Sequence, residues 1–244
     1  MNDVMTVVWK ELKELWQARA SMRSRLFSFL LFPLIFGVFL PLQERASWID
    51  GPLAAIFSLV LPFILAGGAV ADSFAGERER HTLETLLATR LSDRDIFVGK
   101  VVAVVIYSAG LVWLSMLLSL ITLNVTRGSG PLFVYSGTTL LVIVIGAILM
   151  SLLNAAAGVF VSLRAATVRA AAQVFSVFTL LVFVVGPLLL RALPPAALLW
   201  IERVIARTNP AAAGAAAAAI VLAIDIALLA LGIARFRRTR LILE

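Results

Sequence analysis

The chain has 244 residues, of which 61% are apolar and 14% charged. Soluble domains average about 45–50% apolar and about 25% charged residues, so this composition excludes a disordered chain, a fibrous repeat and an ordinary soluble enzyme. The net charge of +7 needs no nucleic acid in a membrane protein, where lipid and topology account for basic residues, and with no Cys and one His, disulfides, thiolate metal sites and multi-histidine metal sites are excluded too.

Residues 1–25 begin with an amphipathic stretch. Val4, Val8, Leu12 and Leu15 share one helical face, with Met5, Trp9 and Trp16 beside them, while Thr6, Lys10, Lys13, Glu14 and Gln17 face away. A basic helix edged with Trp suits a membrane surface, which predicts an N-terminal interfacial helix. Long charge-free windows follow. A spanning helix needs about 17–25 apolar residues and must satisfy its own backbone in lipid. The windows predict six spans, near 26–42, 52–72, 99–123, 136–162, 170–190 and 211–234. Pro33, Pro41, Pro62 and Pro187 lie in or beside spans and predict bends.

Residues 73–95, between the second and third spans, carry a dense charge pattern. Leu83, Leu86 and Leu87 form an apolar stripe at i, i+3, i+4, Arg80 and Glu84 are an i, i+4 pair, and Ser92 with Asp95 forms an N-cap pattern opening the third span. The stripe is too small to be a core. It suits docking into a groove on another protein, or else belongs to a solvated loop. Residues 191–209 hold Pro194-Pro195 followed by Leu198, Trp200, Ile201, Val204 and Ile205, which predicts a short external helix before the last span. Residues 235–244 form a basic tail.

Six spans place both termini on one side. Sixteen of the 21 Lys and Arg then share that side, against five opposite, which predicts cytoplasmic termini. Two polar residues lie deep in predicted spans. Asp225 is either a substrate or cation contact or a protonated packing group. Asn154 either lines the path or bonds across helices. An intramembrane Ser–His hydrolase would need a His at membrane depth, and His81 is in the charged connection.

The run Phe74-x-x-Glu77-Arg78-Glu79-Arg80-His81-Thr82-Leu83-Glu84-Thr85-Leu86-Leu87-Ala88-Thr89, with Gly99-Lys100 after it, resembles the signature of the ABC type-2 permease family. The layout of interfacial helix, six spans, external helical segment and basic tail is similar to that family too. His81 and Arg90 depart from the usual Gly and Pro. The resemblance implies an all-α polytopic membrane protein forming a single transmembrane domain, the permease subunit of an ABC exporter. It implies a coupling helix in 73–95, in which Phe74, Glu77, Arg78, Glu79, Thr82, Leu83, Glu84, Leu86 and Leu87 meet a separate cytoplasmic ATPase. It further implies a second permease copy, identical or related, in a prokaryotic cytoplasmic membrane. ATP and Mg would sit on the partner, with no cofactor or metal on this chain. In agreement, the sequence holds no G-x-x-x-x-G-K-[ST] phosphate loop. An ATPase-independent secondary transporter or channel is the alternative.

Overall fold

The computed structural model describes residues 3–17, 29–80, 82, 89–127, 131–162, 165, 167–207 and 209–235. No strand occurs among them. The helices are α1 (Asp3–Gln17), α2 (Phe29–Glu44), α3 (Ala46–Asp50), α4 (Leu53–Ala75), α5 (Asp93–Thr126), α6 (Gly137–Ser162), α7 (Val168–Leu189), α8 (Pro195–Arg207) and α9 (Pro210–Arg235). The helices α4, α5, α6, α7 and α9 are each long and apolar enough to cross a membrane. The expected first span corresponds to α2, a shorter apolar helix over its described part, and residues 18–28 before it lie outside the described residues.

Helix starts follow local chemistry. Ser92 sits in extended backbone and accepts the Asp95 N–H at 3.1 Å, so the N-cap pattern opens α5. Ser136 caps α6 through Thr139 N–H, and Thr167 caps α7 through Ala170 N–H. At 34 residues α5 is about 51 Å long, longer than a hydrocarbon core of about 30 Å, so it stands out of the bilayer.

Helix α5 is the central post. It packs against α1, α2, α4, α6 and α9. Two apolar cores lie along it. One is built around Phe74, Phe97, Val101, Val159 and Phe175 at the α1 end. The other surrounds Trp48, Met116, Leu123, Tyr135 and Ile143 at the far end. There the Trp48 indole donates to the Tyr135 hydroxyl at 3.1 Å, and that hydroxyl is 2.5 Å from Ser119 Oγ. Asn124 donates to the Phe133 carbonyl and accepts its N–H, which pins the chain entering α6.

By contrast, α7 and α9 lie at the edge. Among the described residues of α9 only Asp225 and Gly232 are buried, two turns apart on one face. Gly232 permits that seat, since a Cβ there would come within 2.5 Å of the Phe97 ring.

Candidate functional site

The charged connection does not run free where it is described. Helix α4 continues past Ala75 through Gly76–Glu79, and the motif's Glu77 and Glu79 are fastened to other helices. Glu77 is buried, and its Oε1 accepts from Lys10 Nζ on α1 at 2.5 Å. Its Oε2 lies 2.9 Å from Lys100 Nζ on α5, an ion pair without hydrogen-bond alignment. Glu79 Oε2 accepts the Val168 N–H at 3.0 Å, which ties the same stretch to the start of α7. The Thr82 N–H closes back on the Glu77 carbonyl at 2.9 Å. Phe74 is buried in the inner core with the Lys100 ammonium 5.3 Å from its ring centre, and Arg80 reaches Asp72 at 3.7 Å on the surface. Leu83, Glu84, Leu86 and Leu87 lie outside the described residues, as does the Arg78 side chain.

Beneath this junction is a compact charge cluster. Lys100 is fully buried inside an apolar helix and has three partners: Glu11 Oε1 at 2.7 Å, the Ser73 carbonyl at 2.9 Å and Glu77. Glu11, on α1, is buried too, and its other oxygen accepts from Ser73 Oγ at 2.6 Å. A buried ion is tolerated only when paired and hydrogen-bonded, and these two acids and two lysines meet that demand together. Burial alone would push the Glu11 carboxyl up, but Lys100 and Lys10 overcome it and hold the group below its ordinary range. Burial likewise opposes charge on Lys10, and Glu11, Glu77 and Glu14 overcome it, holding Lys10 above its ordinary range. Glu11, Glu14 and Glu77 bring three carboxylates together, but the Lys10 ammonium, within 3.2 Å of an oxygen of each, already fills the position between them.

This geometry revises the reading of α1. The helix is amphipathic as expected, but its buried side is Val7, Val8 and Glu11, whereas Met5 and Trp9 are exposed. Glu11 belonged to no predicted site, and Lys100 counted toward topology and the Gly99-Lys100 part of the signature but not as a site residue. The signal was present: a lysine within an apolar span needs an acid partner. The pair Gly99-Lys100 acquires a cause as well. A Cβ on Gly99 would fall 2.6 Å from Val7 Cβ, so glycine lets α1 cross α5 closely enough for Glu11 to reach Lys100.

The two intramembrane polar residues lie elsewhere. Asn154 donates from α6 to the Phe63 carbonyl of α4 and so bonds across helices. Asp225 is fully buried in α9, and among the described residues neither carboxyl oxygen is hydrogen-bonded.

An N-terminal helix is clamped on α5, with a charged junction before that helix and apolar helices on both sides. The profile of the ABC-2 type transporter matches residues 2–222. The chain belongs to this family. It is an integral membrane permease of an ABC transporter. A comparison with curated proteins finds no match.

Proposed function

We propose that this ABC-2 permease is the membrane subunit of an exporter, driven by a separate ATPase that seats on residues 73–95. One observation carries the reading. The root of that segment is fastened by Glu77 to α1 and α5 and by Glu79 to α7, so a push on the segment moves three helices rather than a slack loop. Glu77 is too buried to touch a partner and acts as the transmitting residue. The apolar stripe Leu83, Leu86 and Leu87 supplies the docking face. The path lies between two permease copies, identical or related. Both termini face the cytoplasm of a prokaryote, and ATP with Mg binds the partner.

Co-purification from the native host tests this reading. An ATP-hydrolysing subunit is expected to accompany the chain, and Leu83→Asp with Leu86→Asp is expected to release it while the permease stays folded. The second reading, an ion-coupled carrier without ATPase, has Asp225 in its favour, since an unpaired intramembrane acid suits ion binding. Transport by the purified permease alone in vesicles would establish that reading and overturn the first.

A further inference from the structure

Four helices contain a π turn: Ile35–Phe39 in α2, Ala71–Ala75 at the end of α4, Val142–Gly146 in α6 and Leu181–Val185 in α7. In such a turn the N–H reaches back five residues instead of four, so the ladder loosens and a carbonyl drops out of it. In lipid that carbonyl has no water to turn to and needs a protein donor.

In three of the turns a carbonyl within the turn accepts from a side chain of the same helix, α5. Thr122 Oγ1 donates to the Gly37 carbonyl at 2.9 Å. The ladder cannot serve that carbonyl, because its partner four residues on is Pro41. Trp113 Nε1 donates to the Ile143 carbonyl at 3.1 Å, and Lys100 Nζ to the Ser73 carbonyl at 2.9 Å. The helices also meet closely at the first turn, where a Cβ on Gly37 would lie 2.8 Å from the Ser115 carbonyl of α5. The turn in α7 repeats the proline spacing of α2, with Pro187 four residues after Phe183, yet no side-chain donor reaches it among the described residues. Donation therefore marks the helices packed on α5 and is no general accompaniment of a π turn.

We propose that Trp113 and Thr122 are positioning residues of the transport cycle: each holds a neighbouring helix in its widened register by donating to a carbonyl within its π turn, and that register slips when α5 moves. A π turn is a two-state element. Drawing its extra residue into the α ladder turns the helix beyond it by about 100° and lengthens it by about 1.5 Å. Which state holds depends on whether α5 presents its donor. The remaining donor, Lys100, sits in the charge cluster with Glu77, so displacement at that end moves the post that serves all three turns. The inference rests on the coupling reading above.

The chain has no cysteine, so introduced cysteines carry spin labels without background. Leu42, Leu140 and Val125 are exposed on α2, α6 and α5. Pulsed electron resonance would measure the Leu42→Cys/Val125→Cys and Leu140→Cys/Val125→Cys distances in the permease–ATPase complex in nanodiscs, without nucleotide and with ATP plus vanadate. Both distances are expected to change with nucleotide. Thr122→Val should abolish the change for α2 alone and Trp113→Phe for α6 alone, with Thr122→Ser behaving as wild type. The two arms are independent if one variant fails to fold. A wild type that shifts, with both variants shifting as it does, overturns this inference and leaves the coupling reading standing. Fixed distances in a complex that hydrolyses ATP do the same. A chain that binds no ATPase overturns both.

Discussion

Helices α4 and α5 are as apolar as α7 and α9, yet they live in different surroundings. In the most apolar 18-residue window of each, half of α4 and α5 is buried inside the protein, against 6% of α7 and 11% of α9. Apolarity places a helix in the bilayer and says nothing about whether lipid or protein covers it. What separates the pairs is small polar chemistry. The covered face of α5 carries Ser108, Ser115 and Ser119, each returning its hydroxyl to a carbonyl of its own helix. Two of them also reach across, Ser108 to Ser151 and Ser119 to Tyr135. Ser176 on the exposed side of α7 makes the same intrahelical bond to the Ala172 carbonyl, so it is the reach across to another helix that marks the covered face. Helix α7 buries only Ala171 and Phe175 of its first thirteen residues, and α9 meets the bundle at Asp225 and Gly232.

The largest test of this contrast strikes the α5 post at its charged end. Lys100→Met would leave Glu11 and Glu77 buried with only Lys10 between them. Removing one partner of a buried ion pair costs about 3–5 kcal/mol. A large drop in the unfolding temperature of the solubilised protein is expected, with part of it recovered by adding Glu11→Gln. A loss of less than about 1 kcal/mol would mean that water reaches the cluster.

Acid probes the same end more gently. The carboxyl of Glu11 is held below its ordinary range, so its contribution is complete above the unfolded value of about 4.3 and is lost as pH falls through that value to the folded one. Lys10 is held above its range, so its contribution is complete at neutral pH and is lost only in strong base. Protease cleavage within α1 should therefore be flat around neutrality and rise steeply toward pH 3. In Glu11→Gln it should be fast and level throughout. A wild type without that acid rise would show that α1 is held by its apolar contacts alone.

Asp225 sharpens the comparison from the other side. A buried group without a partner costs about 1–3 kcal/mol, and Asp225 has none among the described residues, so Asp225→Leu is expected to leave the unfolding temperature unchanged or raise it, unlike Lys100→Met. A clear destabilisation would reveal a partner for the carboxyl in the assembled transporter.

Much of this architecture is legible in the residues. The amphipathic start, the long apolar windows and the Ser92 cap depend on local spacing, and local spacing is what a sequence displays. Asp225 stands out because a lone acid in an apolar run has few places to go. Glu11 is legible only in part: on a helical wheel it falls between Val7 and Val4, an acid on the apolar face, but that face does not name what it pairs with. Its partner is 89 positions away, and no periodicity links the two. The same holds for the donations from Trp113 and Thr122. They answer carbonyls within π turns, and a π turn is a packing outcome with no residue signature of its own beyond Pro41 and Pro187.

The smallest expected effect tests the lipid-facing side. Val177 on α7 is 59% exposed, whereas Val104 on α5 is fully buried against the inner core. Truncating each to Ala removes the same two methyl groups. At Val104 the loss opens space among close-packed neighbours that relax only partly, and a cost of about 1–2 kcal/mol is expected, near the lower range for large-to-small core changes. At Val177 lipid chains flow into the space, no cavity persists, and the change should stay within about 0.5 kcal/mol. Unfolding of the two variants in the same detergent, compared with the parent, measures the difference directly. Equal losses would mean that α7 is covered by protein in the isolated chain's assembly. In that case its exposed face is a subunit contact and not a lipid boundary.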